Sequence, residues 1–144
     1  MESKTNINPE DIVRNAYDAL NRRDFEAFAA TLDLNSTVDD PVYGSVRGRD
    51  ALVKIEKEAF KSVPDVEISI RSMVAEGEMV AFEAVASGTF SAPIEVSGRT
   101  LQPTGRRIEF KEAAFFRVDV KGLITEGHYY YDALGLFKQM GLMP

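Results

Sequence analysis

At Pro64 the apolar residues of this chain change their spacing, and that change limits the folds open to it. Before Pro64 they recur every three or four residues, as one face of a helix requires. Asn8-Pro9-Glu10-Asp11 opens the first such stretch, with an N-cap oxygen, a proline suited to the first helical position and acids in the first turn. Ile12, Val13, Ala16, Tyr17 and Leu20 then make one buried stripe. Asp24 caps a second, short helix with Phe25, Phe28, Ala29 and Leu32 inward, and Asp50 opens a third around Leu52, Ile55, Ala59 and Phe60. Between them Thr37–Asp40 reads as extended, Pro41 bars a central strand, and a loop runs to Gly48.

After Pro64 the period is two. Val66, Ile68 and Ile70 alternate with Glu67, Ser69 and Arg71, which is the pattern of a half-buried strand. Glu76-Gly77-Glu78 reads as a hairpin turn, and Met79–Phe90 as the next strand. Residues 91–102 read as a loop or a lengthened hairpin. Arg107–Val118 and Leu123–Tyr131 are two further strands joined around Lys121-Gly122. Helices first and antiparallel strands afterwards predict an α+β fold. With 144 residues and no linker, repeat or low-complexity segment, residues 1–144 read as one domain. A chain of that length buries roughly two-thirds of its unfolded surface.

Composition removes several classes of function. Without cysteine there is no disulfide framework, thiolate metal site or cysteine nucleophile, and one histidine is a poor basis for a zinc or iron site. A net charge of −6 speaks against nucleic acid, and the Arg22-Arg23, Arg47/Arg49 and Arg106-Arg107 groups read as solvated surface or turn residues. The first residues lack the apolar core of a signal peptide and no run approaches membrane-spanning length, so a cytoplasmic protein is expected.

Candidate chemistry follows from the faces of the strands. Ile108, Phe110, Glu112, Ala114, Phe116 and Val118 share one face, so Glu112 is a carboxyl aimed into an apolar interior. There, desolvation favours the protonated acid, a useful donor, unless a cation pairs with it or the sheet end is wet. Asp40 shares a face with Val38, which makes it the inward member of Asp39-Asp40 and a possible general base; an Asx turn before Pro41 is the competing role. The last strand sets Gly127, Tyr129 and Tyr131 on one face and Glu126, His128 and Tyr130 on the other. Both faces are amphipathic, so either can form a pocket wall, and tyrosine hydroxyls there can polarise a carbonyl. His128 reads as a surface or interface residue, Asp132 as a cap for a short Ala133–Met140 helix or an acid/base, and Tyr17 as core by default.

Pro103-Thr104-Gly105-Arg106, Lys121-Gly122-Leu123-Ile124, Tyr131-Asp132-Ala133-Leu134-Gly135-Leu136 and Gln139-Met140-Gly141 together resemble SnoaL-like polyketide cyclases, within the nuclear transport factor two and ketosteroid isomerase superfamily. Tyr17, Ala19-Leu20-Asn21, Asp24-Phe25, Asp39-Asp40-Pro41-Val42 and Gly48-Arg49-Asp50-Ala51 agree with it. The resemblance implies a cone-shaped, curved antiparallel sheet packed on three N-terminal helices, a cystatin-like α+β barrel preceded by a flexible segment 1–7. It also implies a deep apolar pocket, a homodimer formed through the sheet, no metal or organic cofactor, and proton transfer on a hydrophobic polyketide-, steroid- or terpenoid-like carbonyl compound.

By the same resemblance Asp40 is the general base, Tyr17 lies near the oxyanion tyrosine, and the cyclases' acid/base aspartate falls on Asp132. The isomerase's second oxyanion acid falls on Ala114, leaving Glu112, two residues earlier on that face, as its substitute. An epoxide-hydrolase carboxylate would fall on Tyr129, which speaks against that chemistry. Val38, Tyr43, Phe60, Phe82, Ala114, Phe116, Tyr129 and Tyr131 are the expected substrate-binding wall. A non-catalytic module of the same fold, binding a small molecule or a protein, is the alternative.

Overall fold

A computed structural model describes residues 7–143. The expected flexible segment therefore lies outside the described residues except for Ile7, whose side chain packs over the Gly122 turn. Helix α1 (Pro9–Asn21) begins as its sequence dictates, with the Asn8 side chain accepting from the Glu10 N–H and Pro9 in the first turn. Helix α2 (Phe25–Ala30) is capped by Asp24, and α3 (Arg49–Ser62) starts after Gly48, one residue before Asp50. The strands are β1 (Leu32–Asp40), β2 (Gly44–Arg47), β3 (Glu67–Glu76), β4 (Met79–Thr89), β5 (Ile94–Val96), β6 (Arg99–Leu101), β7 (Arg107–Val118) and β8 (Ile124–Tyr131). Helix α4 (Ala133–Gln139) follows.

Six strands form one sheet in the order β2-β1-β8-β7-β4-β3, which curves over the helices. Register shifts in β3, between β1 and β8, and between β7 and β8 supply bends of the kind that bulges impose. The concave face packs on α1, with Val13, Ala16, Tyr17 and Leu20 set against Val80, Phe82, Ala84 and Phe116. Asn21 ties the end of α1 to β3, its amide bonding both the carbonyl and the N–H of Ile68 at 2.8 and 2.9 Å. No helix among the described residues is long and apolar enough to cross a membrane.

Four expectations need correction. The sheet is not wholly antiparallel: β1 and β8 run parallel, a pairing open to them because more than half of the chain lies between the two strands as a long crossover. Leu32 begins β1 and does not end a helix, so that strand is longer than Thr37–Asp40. The stretch before Gly48 contains β2 and is not a loop throughout, whereas residues 91–102 take the hairpin alternative, as β5–β6. That hairpin turns at Ser97 and Gly98, both with positive φ, as a two-residue turn of the right-handed-twist type requires. Finally, Arg23 does sit in a turn, as one of its two readings had it, but it is not a free solvated cation. Its guanidinium donates to the carbonyls of Asn21, Pro64 and Val66 and lies over the Phe60 ring.

One glycine on the inner face sets the sheet's packing. A Cβ on Gly127 would stand 2.8 Å from the Phe116 ring, which is itself wedged among Tyr17, Phe82 and Tyr129. Gly127→Ala is therefore expected to destabilise the fold by about 1–3 kcal/mol, read as a lowered urea midpoint with an unchanged slope.

Candidate active site

Between the helices and the concave sheet lies a cavity of about 170 Å³. Its wall includes Phe60 from α3, Ile108 and Phe110 from β7, Ile94 and Val96 from the small hairpin, and Leu136, Phe137 and Met140 from the C-terminal segment. A smaller chamber of about 80 Å³ adjoins it, walled by Phe28, Leu32, Val38, Val46, Leu52, Ile55 and Phe116. Tyr17, Asp40, Tyr43, Glu56, Ala59 and Tyr129 line both. The polar groups are thus concentrated where the two chambers meet.

Asp40 ends β1, lines the cavity and closes the Asx turn its sequence suggested. Its Oδ2 accepts the backbone N–H groups of Val42 and Tyr43 at 2.8 and 3.0 Å, closing an Asx turn, and the Tyr131 hydroxyl at 2.9 Å. Those donors hold the carboxyl in one orientation. Oδ1 makes no hydrogen bond among the described residues, so one carboxylate oxygen is left for a substrate.

Tyr17 from α1 and Tyr129 from β8 meet hydroxyl to hydroxyl at 2.8 Å. Burial, foremost, raises both phenols well above their ordinary value, so both keep their protons. In such a pair one hydroxyl donates to the other, and the accepting one keeps a proton to offer. Tyr43 and Tyr131 are likewise pushed up by burial and then by nearby carboxyls, Tyr43 to about 12.

Glu112 lies on the inner face of β7, as its alternation predicted. Burial pushes its carboxyl up to about 8, with added repulsion from Glu56 and Asp40. Glu56 on α3 is pushed to about 7 by burial and then by Asp40. Both are half-buried and face the cavity, and no cation pairs with either among the described residues. Glu112 is thus mainly a neutral acid at pH 7.

Glu56 went unread in the sequence because Lys54-Ile55-Glu56-Lys57-Glu58 has the charge pattern of a solvated helix face. A signal was available: Glu56 lies four residues after Leu52 and four before Phe60, inside the buried stripe.

The other expected residues divide. Tyr43, Phe60, Tyr129 and Tyr131 line the larger chamber, and Val38 and Phe116 the smaller. Phe82 and Ala114 line neither; they pair across β4 and β7, and the Tyr17 and Phe116 rings cover Phe82. Asp132 is exposed and caps α4, its Oδ1 accepting the Gly135 N–H at 2.8 Å, because the chain leaves the sheet there. It does not reach the cavity. His128 is on the outer face, between Asp39 at 3.0 Å and Glu126 at 2.9 Å. Among the described residues no three of His, Cys, Asp and Glu stand together as a metal site.

Residues 10–140 match the family model described as SnoaL-like polyketide cyclase. The chain belongs to this family. No curated protein matches it. Among solved structures it is similar to a SnoaL-like candidate polyketide cyclase from Jannaschia sp. CCS1, at 17% identity and a TM-score of 0.83 over 100% of both chains. It is also similar to IdmH, a candidate polyketide cyclase from Streptomyces antibioticus, at 26% identity, TM-score 0.74, over 92% of this chain and 98% of that one. SalBIII, an epoxide hydrolase/cyclase-like enzyme with a role in pyran ring formation in the polyether salinomycin, is 21% identical with a TM-score of 0.73, over 88% of this chain and 92% of that one. A hypothetical protein from Catenulispora acidiphila shares the ketosteroid isomerase-like fold that was expected here.

Proposed function

We propose that this family member is an acid/base isomerase or cyclase that works with its own side chains on a hydrophobic carbonyl compound. The observation that carries the reading is one cavity wall holding a fixed carboxylate, a hydroxyl pair with a spare proton and a protonated carboxylic acid. Asp40 removes a proton from the carbon beside the carbonyl. The electron pair of that C–H bond moves to the carbonyl oxygen, which becomes an enolate. The free O–H of the Tyr17–Tyr129 pair and the acid of Glu112 donate to it. In a β,γ-unsaturated ketone the enolate is a dienolate that takes the proton back at the γ carbon, giving a shifted, conjugated double bond. In a dicarbonyl compound the enolate's α carbon attacks the second carbonyl, whose oxygen takes the proton, giving a ring.

Asp132, capping α4, has no part in this scheme. Epoxide opening is the weaker reading, since the last strand offers a tyrosine where that chemistry places a carboxylate. Either tyrosine can donate alone once its partner is gone, so the pair must be removed together. In deuterated water the protein should exchange the acidic C–H protons of a neutral cyclic ketone, followed by NMR. Tyr17→Phe with Tyr129→Phe should slow exchange by about 10²- to 10³-fold, while either single change costs much less. Exchange no faster than in buffer would leave a binding module as the function.

A further inference from the structure

The two chambers differ in chemistry as well as in size, and together they describe a molecule. An apolar cavity of about 150 Å³ holds one benzene ring. The larger chamber, about 170 Å³, therefore takes one six-membered ring with little to spare. The smaller, about 80 Å³, takes a group about half that size, roughly three or four carbons. Beyond the residues it shares, the smaller chamber's wall is wholly apolar, including Val46 from β2 and Ile55 from α3. The oxygen-bearing side chains Tyr17, Asp40, Tyr43, Glu56 and Tyr129 stand where the chambers meet. No Lys, Arg or His lines either chamber among the described residues, whereas three carboxyls do. A carboxylate or phosphate on the ligand would be desolvated beside the Asp40 carboxylate with no cation to answer it.

We infer that the substrate is a neutral one-ring carbonyl compound with a short branched apolar arm. The ring occupies the larger chamber, the arm the smaller, and the reacting oxygen the boundary between them. This rests on the acid/base reading for the identity of the oxygen group, but its test is binding and not turnover. A fused four-ring skeleton exceeds the two chambers together, so on this inference a steroid would project from the cavity mouth and bind less well.

Four probes test it by titration followed in NMR: cyclohexenone, cyclohexenone carrying an isopropyl group, the carboxylate analogue of the latter, and a steroid enone. Burying three carbons of the arm should tighten the isopropyl compound by about 50-fold over plain cyclohexenone. The carboxylate and the steroid should bind at least tenfold more weakly than the isopropyl compound. Val46→Phe fills the smaller chamber and should bring the two neutral rings within about twofold of each other. If that variant does not fold, Ile55→Phe fills the same space from α3. Equal affinities in the unaltered protein, a preference that survives the filled chamber, or tighter steroid binding would each overturn the inference. The expected binding pattern without C–H exchange would leave the inference standing and remove the acid/base reading alone.

Discussion

Asp40→Asn is expected to lower C–H exchange and turnover by about 10²- to 10⁴-fold, the contribution of a well-placed general base. The asparagine side chain keeps one oxygen of the same geometry. That oxygen can still accept the N–H groups of Val42 and Tyr43 and the hydroxyl of Tyr131, so the turn between β1 and β2 survives. What is lost is the oxygen without a partner, replaced by an amide that cannot take a proton. Thermal unfolding should therefore change little while the rate collapses. An Asp40→Asn protein that still exchanges at the original rate would remove Asp40 from the mechanism.

The second large effect is on stability against pH. Glu56 and Glu112 have an ordinary value of 4.5, and the fold pushes them to about 7 and about 8. Between 4.5 and about 8 the folded chain holds protons that the unfolded chain has released. Stability therefore falls as pH rises through that window and levels off above it, at a slope of about 1.4 kcal/mol per pH unit for each fully retained proton. Glu56→Gln with Glu112→Gln removes both titrations. The double variant should lose little stability between pH 5 and pH 9, where the unaltered protein loses a few kcal/mol. At pH 9 it should be the more stable of the two by urea unfolding. Parallel curves for the two proteins would show that neither carboxyl is held neutral by the fold. Enolate stabilisation should suffer in the same variant, since glutamine offers a weaker donor and no transferable proton. A site that keeps uncompensated acids inside the protein trades stability for chemistry in this way.

Much of the site was readable one element at a time. Alternation along β7 turned Glu112 inward, and Val38 identified Asp40 over Asp39 as the residue facing the cavity. The same rule separated Tyr129 and Tyr131 from Tyr130 without saying which face was the wall; the family register chose the first, and Tyr130 is exposed. It failed where packing above the sheet mattered. Phe82 and Ala114 face inward as predicted, yet α1 and the Phe116 ring cover that patch and deny it to a ligand. Asp132 was ambiguous because a cap and an acid/base present the same carboxylate to the sequence, and only the end of β8 distinguishes them. Glu56 was hidden by its charged neighbours. A helical stripe locates a face to within one residue, but not whether that face meets solvent or a cavity.

The stretch on either side of Pro64, read alone, determined the α+β class, the inward direction of Glu112 and Asp40 and most helix starts, because spacing and capping are local properties of a few residues. The tertiary structure decided which of those side chains meet. Tyr17, Asp40, Glu56, Glu112 and Tyr129 come from five elements. They converge only through the parallel pairing of β8 with β1 and the seating of α3 over β1. Their altered proton affinities arise from that convergence, since desolvation and mutual repulsion exist only once the chain has closed around them.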